Sequence, residues 1–304
     1  MSFKPRTEST ELIKFRFLNP RITLSTKEKK RYLNLEKGYQ GEVMFDQLTE
    51  KLQNDLYILN DLCLEFNNSV FQIDTLIIAQ ELIYPFEVKN FEGDYYYESE
   101  SFHSKLSKEE IKNPLDQLKR SKSLLRPFLK KLGIYLPVEG LVTFVNPEFT
   151  LYQAPLDAPI IYPTQLNHLM KKLNQIPSKL NYRHKKLADQ LVAMHLSESP
   201  YAWKPIYTYE KLKKGIICPI CFSFMLSVGD KKLVCEKCGC EEEADTAVLR
   251  SVGELKFLFP DKKITTSGIH EWCKVIESKK MIRRILLVNY RAVGERHTRY
   301  FEID

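Results

Sequence analysis

Two apolar runs, residues 70–79 and 82–89, flank the dipeptide Gln80-Glu81. Read as a hairpin with a two-residue turn, they set Ala79 opposite Leu82 and Asp74 opposite Glu87. Directly opposed residues of an antiparallel pair have Cβ atoms about 4.5–5.5 Å apart, so two carboxylates would stand side by side. Lys89, two residues beyond Glu87, points to the same face. Opposed carboxylates destabilise a sheet unless a cation offsets them. Mg²⁺ (or Mn²⁺) suits the position, because Mg²⁺ takes oxygen ligands at about 2.0–2.1 Å, commonly one or two carboxylates plus a substrate phosphate. An ammonium beside the ion can hold the attacking water or steady charge building on phosphorus. The chemistry that fits is hydrolysis of a phosphodiester. Surface ion pairs are the plain alternative, but Ile73, Ile77, Ile78, Phe86 and Val88 mark the hairpin as central.

Two further polar residues belong with this group. Glu42 lies three residues before Phe45 and shares its helical face with Leu48 and Leu52. A carboxylate there needs a partner, which the metal cluster or Lys89 would supply. Gln117, in the first turns of a later helix, could donate to a phosphate or position a water.

The second chemistry is thiolate ligation. Cys218-Pro219-Ile220-Cys221 and Cys235-Glu236-Lys237-Cys238 form two CxxC turns. Each can bend two thiolates onto one ion, and together they complete a tetrahedral Zn²⁺ site closed to substrate. The hairpin tip is expected at Val228-Gly229-Asp230. Cys240 is an alternative to Cys238, while Cys63 and Cys273 sit among apolar neighbours as small core side chains. The six histidines lack metal-ligand spacing with one another.

The elements that must position these groups follow from periodicity. A helix is expected over residues 41–52, then strands over 56–64, 70–79, 82–89 and 94–97. Asn113 caps a helix that Pro114 opens and that runs toward Leu132, with a kink expected at Pro127. A buried strand at 140–145 and a helix at 164–173 complete an α/β unit around a mixed sheet. Pro85 inside the third strand is expected to force a bulge. Residues 1–36 read as a basic lead-in, 37–173 as the α/β domain, 174–213 as a Lys-rich helical linker, 214–245 as a zinc ribbon and 246–304 as a basic domain.

In the last region three helices, starting near Ala247, Thr266 and Ser278, precede a hairpin turn at Gly294-Glu295. The pattern is winged-helix-like, with a small helical protein-interaction domain as the other reading. Lys279, Lys280, Arg283 and Arg284 lie opposite Met281, Ile282 and Ile285, and Arg296 and Arg299 sit in the hairpin. In a winged helix the third helix enters the major groove and the wing touches phosphates.

The 304 residues carry 43% hydrophobic side chains and a net charge of +7. Residues 247–304 hold 12 Lys plus Arg against 7 Asp plus Glu, a net of +5. That imbalance suits a phosphate backbone. No run approaches the ~18 apolar residues of a membrane span, and the first twenty residues lack a signal-peptide core. Paired CxxC motifs point to metal in a reducing, cytoplasmic setting rather than to disulfides.

Several strings taken together resemble a known family. They are Lys37-Gly38-Tyr39-Gln40-Gly41-Glu42, Ile73-Asp74, Glu87-Val88-Lys89-Asn90 followed by Gly93, and Asn113-Pro114 with Gln117. They look like the nuclease-related domain, NERD, which is similar to the PD-(D/E)XK nucleases, over about residues 37–170. The resemblance implies a restriction-endonuclease-like core and DNA processing. Asp74 and Glu87 match the metal-binding acids, Lys89 the catalytic lysine, Glu42 the acid of the first helix and Gln117 the polar residue of the later helix. Tyr84-Pro85 departs from the uninterrupted strand expected there. The expectation is a metal-dependent DNA nuclease; the alternative is a DNA-binding or assembly protein that grips without cutting. Oligomeric state is not legible.

Overall fold

The computed structural model describes every residue except 1, 99, 199–202, 204, 229–230, 296–297 and 304, and the side chains of Ser227 and Val228. In chain order the helices are α1 (Thr10–Leu18), α2 (Thr26–Thr49), α3 (Pro114–Lys131), α4 (Leu166–Gln175), α5 (Tyr182–Ala193), α6 (Ala244–Leu258), α7 (Thr266–Cys273) and α8 (Lys279–Asn289). The strands are β1 (Tyr57–Phe66), β2 (Ser69–Ile78), β3 (Ile83–Lys89), β4 (Gly93–Glu98), β5 (Ser101–Ser104), β6 (Glu110–Ile111), β7 (Leu141–Phe144), β8 (Phe149–Tyr152), β9 (Ile160–Ile161), β10 (Leu226–Val228), β11 (Lys232–Val234), β12 (Glu241–Glu243), β13 (Arg291–Val293) and β14 (Tyr300–Glu302). The chain divides into two compact units, Met1–Ser9 with Leu33–Ala202 and Thr10–Tyr32 with Trp203–Asp304. The boundaries read from sequence are finer than this division, and the basic lead-in is shared between the two units.

The first unit is built on a mixed five-stranded sheet in the order β1-β2-β3-β7-β9. The β1–β2 and β2–β3 pairs are antiparallel, and β3–β7 and β7–β9 are parallel. Both faces are covered, which is why β2 and β3 read as almost continuous apolar runs. On one face Leu125, Phe128 and Leu129 of α3 and Leu187, Ala188 and Leu191 of α5 pack against Leu62, Ile73 and Leu76. On the other, Phe45 of α2 and Leu166, Leu169 and Leu173 of α4 meet Ile77, Tyr84 and Phe86. Within the stretch 174–213 read as a helical linker, α5 packs its apolar side on the sheet. Its apolar residues recur at helical spacing among lysines, and each fully buried leucine contributes about 1.5–3 kcal/mol.

The β2–β3 hairpin has the expected register, from Ile78↔Ile83 to Thr75↔Phe86. Pro85 forces no bulge there and pairs in step with Leu76. On the β7 side, Ile83↔Val138 and Phe86↔Leu141 lie in one register, so the missing Pro85 N–H falls in a gap of that ladder. The parallel pair continues beyond the sheet: β3 runs on as β4 and β7 as β8, and β4 pairs with β8 in a second sheet ordered β6-β5-β4-β8. Helix α3 starts as expected, with Asn113 Oδ1 accepting from Leu115 N at 3.0 Å, and it continues through Pro127.

In the second unit one core holds Leu18 of α1, the cysteine region (Cys218, Met225, Leu233, Cys235) and the C-terminal helices (Val248, Trp272, Ile285). Arg21 is wholly buried there. It forms two bonds with Glu254 at 2.7 and 2.9 Å and donates to the carbonyls of Lys213 and Gly215. Helices α6, α7 and α8 and the antiparallel β13–β14 hairpin follow the expected order, with Thr265 capping α7 and Ser278 capping α8. Among the described residues no helix is long and apolar enough to cross a membrane.

Candidate functional site

Strand β2 runs on through Asp74, but its ladder pairing lapses there on both sides. Toward β1 the ladder runs Asn60↔Thr75, skips one pair, and resumes at Leu62↔Ile73. The skipped residue opposite Asp74 is Asp61, whose φ of 52° lies in the left-handed region. The apolar alternation shifts phase at this point: Leu59 then Leu62 on β1, and Ile73 then Leu76 on β2, belong to the same core. Toward β3 the pairing ends at Thr75↔Phe86, one pair short of Asp74 and Glu87. In its place Asp74 Oδ2 accepts the Val88 N–H at 2.7 Å.

Asp74 and Glu87 are both buried, and Lys89 Nζ donates to Glu87 Oε1 at 2.6 Å. Burial, and then the neighbouring Asp74 charge, push Glu87 up to about 7. Asp74 is also raised by burial, against the pull of Lys89, the Val88 N–H and Arg6. Burial works against the Lys89 charge, but Glu87 and Asp74 outweigh it and hold the ammonium above its ordinary value. Asp74 Oδ1 and Glu87 Oε2 make no hydrogen bond with the described residues. Two buried carboxylates, each with one committed and one uncommitted oxygen, form a hard-oxygen donor set that fits a small divalent cation.

Glu42 has a different partner from either expected one. Arg6 Nη1 donates to Glu42 Oε2 at 2.7 Å, while Arg6 Nε and Nη2 hold both oxygens of Asp46, one helical turn on, at 2.8 and 3.0 Å. Burial, and then the Asp74 charge, push Glu42 up to about 8 against the pull of Arg6. Among the described residues the only group of three or more potential ligands converging within 4.8 Å is the cysteine cluster, so Glu42, Asp74 and Glu87 do not close on one point. The guanidinium takes Glu42 instead.

Gln117 is half-buried in α3, with its backbone N–H on the Asn113 carbonyl, and its side-chain amide makes no hydrogen bond among the described residues. It stays outside the bonded cluster that joins Glu42, Asp74, Glu87 and Lys89. Asn90, directly after Lys89, donates to the Lys37 carbonyl at 2.8 Å and accepts from Asn146 at 3.1 Å. Gly41 explains that close approach: a Cβ there would lie 2.3 Å from Asn90 Cβ. Sequence reasoning missed Arg6, Asp46 and Asp61. Glu42 and Asp46 are one turn apart on a helix, which is a readable sign of a cation between them; nothing in the spacing singles out Arg6.

The four cysteines converge as expected, with all four sulfurs within 4.8 Å of one another. Cys218 and Cys238 lie 3.6 Å apart and Cys221 and Cys235 3.3 Å. The two turns are alike. Phe222 N–H bonds the Cys218 carbonyl and Gly239 N–H the Cys235 carbonyl, and each donor residue is left-handed, with φ of 57° and 74°. Cys238, not Cys240, completes the group. Four thiols in this arrangement are compatible with a structural zinc in a small ribbon, whose sheet is β10-β11-β12. Gly229-Asp230, expected at the hairpin tip, lie outside the described residues.

On α8, Lys279, Lys280, Arg283 and Arg284 are exposed, opposite buried Ile282 and Ile285 and half-buried Met281. Arg284 is engaged by both oxygens of Asp245 at 2.7 and 2.8 Å. Arg299 is half-buried, with its Nε lacking a partner among the described residues. Arg296 lies outside the described residues.

Residues 37–145, somewhat more than a third of the chain, match the family model of the nuclease-related domain, NERD. Comparison with curated proteins gives no match, and neither does comparison with solved structures.

Proposed function

We propose that the first unit hydrolyses phosphodiester bonds of DNA with a divalent metal, Mg²⁺ or Mn²⁺, at Asp74 and Glu87. The observation that carries the reading is the buried pair Asp74 and Glu87, with half-buried Lys89 bonded to Glu87, inside a segment matched by the nuclease-related domain. A metal bound there would supply an acidified water and neutralise charge on the phosphate oxygens. Asp74 and Glu87 offer it Oδ1 and Oε2. Lys89, beside Glu87 Oε1, would donate to the attacking water or to a phosphate oxygen. Gln117 supports substrate from the start of α3, and Glu42 supports the site from α2 through its bond to Arg6.

The second unit holds the DNA in this reading. Its cysteines bind a closed, structural Zn²⁺. Helices α6–α8 and the β13–β14 hairpin act as a winged helix, in which Lys279, Lys280 and Arg283 face phosphates, while Arg284, Arg296 and Arg299 supply further positive charge.

The test incubates the zinc-loaded chain with single- and double-stranded DNA and Mg²⁺ or Mn²⁺, beside Lys89→Ala. Cleavage reduced at least about 100-fold in the variant, the scale of losing one charge-stabilising donor, supports the nuclease. Equal DNA retention by both proteins without cleavage assigns the fold to a non-cleaving binder.

A further inference from the structure

The skipped pair at Asp61 and Asp74 leaves backbone carbonyls without their ladder partners, inside a covered sheet where an unpaired polar group is costly. The first residues of the chain take up those carbonyls. Phe3 N–H and Lys4 N–H reach the Ile58 carbonyl, Asn60 N–H returns to the Lys4 carbonyl, and Lys4 pairs in parallel with Leu59 along β1. From this anchor Lys4 Nζ donates to the carbonyls of Asn60 at 2.7 Å and Asp61 at 2.9 Å. Arg6 Nη2 donates to the Asp74 carbonyl at 2.8 Å and to Thr75 Oγ1 at 3.4 Å. Only 4% of the Arg6 side chain is exposed, and its other N–H groups are spent on Glu42 and Asp46. One side chain therefore fixes the backbone of a proposed metal ligand and the helix that flanks it.

We propose that Arg6 is a positioning residue for Asp74, so that the acid site is completed by a segment outside residues 37–145. The inference rests on the reading of Asp74 and Glu87 as metal ligands. Arg6 sets the Asp74 main chain where the β1–β2 ladder skips a pair, and this aims one carboxylate oxygen at Val88 N–H and leaves the other for the cation. Its own charge is offset by Glu42 and Asp46, so its removal acts on geometry before it acts on the field at the metal. Lys4 does the equivalent for Asp61 across the skipped pair. Partners that orient a metal ligand are typically worth 10–100-fold in metal affinity.

The test measures Mn²⁺ affinity by electron paramagnetic resonance on the full, zinc-loaded chain, comparing wild type, Arg6→Ala and Asp74→Asn. The readout needs no DNA. The expected result is Asp74-dependent Mn²⁺ binding in wild type, weakened about 10–100-fold in Arg6→Ala with far-UV circular dichroism unchanged, and restored by added guanidinium, which fills the vacated space. Wild-type affinity or tighter binding in Arg6→Ala, or no recovery with guanidinium, overturns the proposal. Where Arg6→Ala does not fold, Asp46→Asn loosens the same clamp; a several-fold loss of Mn²⁺ affinity supports the proposal and an unchanged affinity overturns it. Absence of Asp74-dependent binding in wild type removes the metal site itself and this inference with it, whereas binding that Arg6→Ala leaves intact removes this inference alone.

Discussion

Glu87 gives the most quantitative test of the site without any substrate. Its carboxyl is raised from 4.5 to about 7, by burial first and by Asp74 second. At 1.36 kcal/mol for each factor of ten in proton affinity, that corresponds to about 3 kcal/mol. The folded chain binds this proton more tightly than the unfolded chain does, so the contribution is fully present below about pH 4.5 and is lost as pH rises through about 7. Glu42 and Asp74 shift in the same direction and share the effect with Glu87. Without Mg²⁺ or Mn²⁺ the first unit therefore weakens between pH 5 and pH 8. Glu87→Gln removes this ionising group, so the variant loses the Glu87 part of that trend and keeps the part that belongs to Glu42 and Asp74. Relative to wild type it gains about 3 kcal/mol in going from pH 5 to pH 8. Urea denaturation followed by far-UV circular dichroism measures the difference. Both tryptophans, Trp203 and Trp272, belong to the second unit, so fluorescence follows that unit separately. Saturating Mn²⁺ should reverse the wild-type trend, because the cation binds the ionised form. A stability difference between wild type and Glu87→Gln that stays constant from pH 5 to pH 8 would refute the assignment of a destabilised carboxylate to this position.

Within α2, Gly38→Ala and Gly41→Ala should have opposite signs in thermal melts. Gly38 faces open space and gains up to about 1 kcal/mol of helix propensity, whereas the Cβ at Gly41 meets Asn90 and overpacking there costs about 1–3 kcal/mol. Cys235→Ser should abolish bound zinc, measured by elemental analysis, and melt the second unit at lower temperature, since Cys235 and Cys218 lie within its core and a structural zinc supplies folding free energy directly. Full zinc retention in that variant would remove the four-cysteine site.

Strands β1–β4, the Gln80-Glu81 turn, the Asn113 cap and the CxxC pairs were legible because each rests on local chemistry: apolar runs, a short turn, a capping side chain, a ligand spacing. Short strands such as β6 and β9 carry no periodicity to read. Helix α1 and the start of α2 looked like a polar lead-in, because Leu18 and Arg21 find their partners only in residues far along the chain. The acid site was half legible. Counting alternate residues from the turn correctly placed Lys89 with Glu87 and gave the right register as far as Thr75. It did not reach Asp74, because alternation presumes an unbroken ladder and the pairing of β2 lapses there. A left-handed Asp61 is the physical mark of that lapse, and aspartate tolerates that conformation well enough to leave no glycine as a signal.

Charge balance shows what the site is suited to hold. Four carboxylates meet in and beside the site, Glu42, Asp46, Asp74 and Glu87, against two fixed cations, Arg6 and Lys89. Asp61 and Lys4 are a further nearby pair of opposite sign. With every group ionised the cluster is short of about two positive charges, and burial makes such a deficit expensive. Protons are one remedy, and the high values of Glu42 and Glu87 are that remedy in progress. A single divalent cation on the uncommitted oxygens of Asp74 and Glu87 is the other, and it would offset the deficit without moving Arg6 or Asp46.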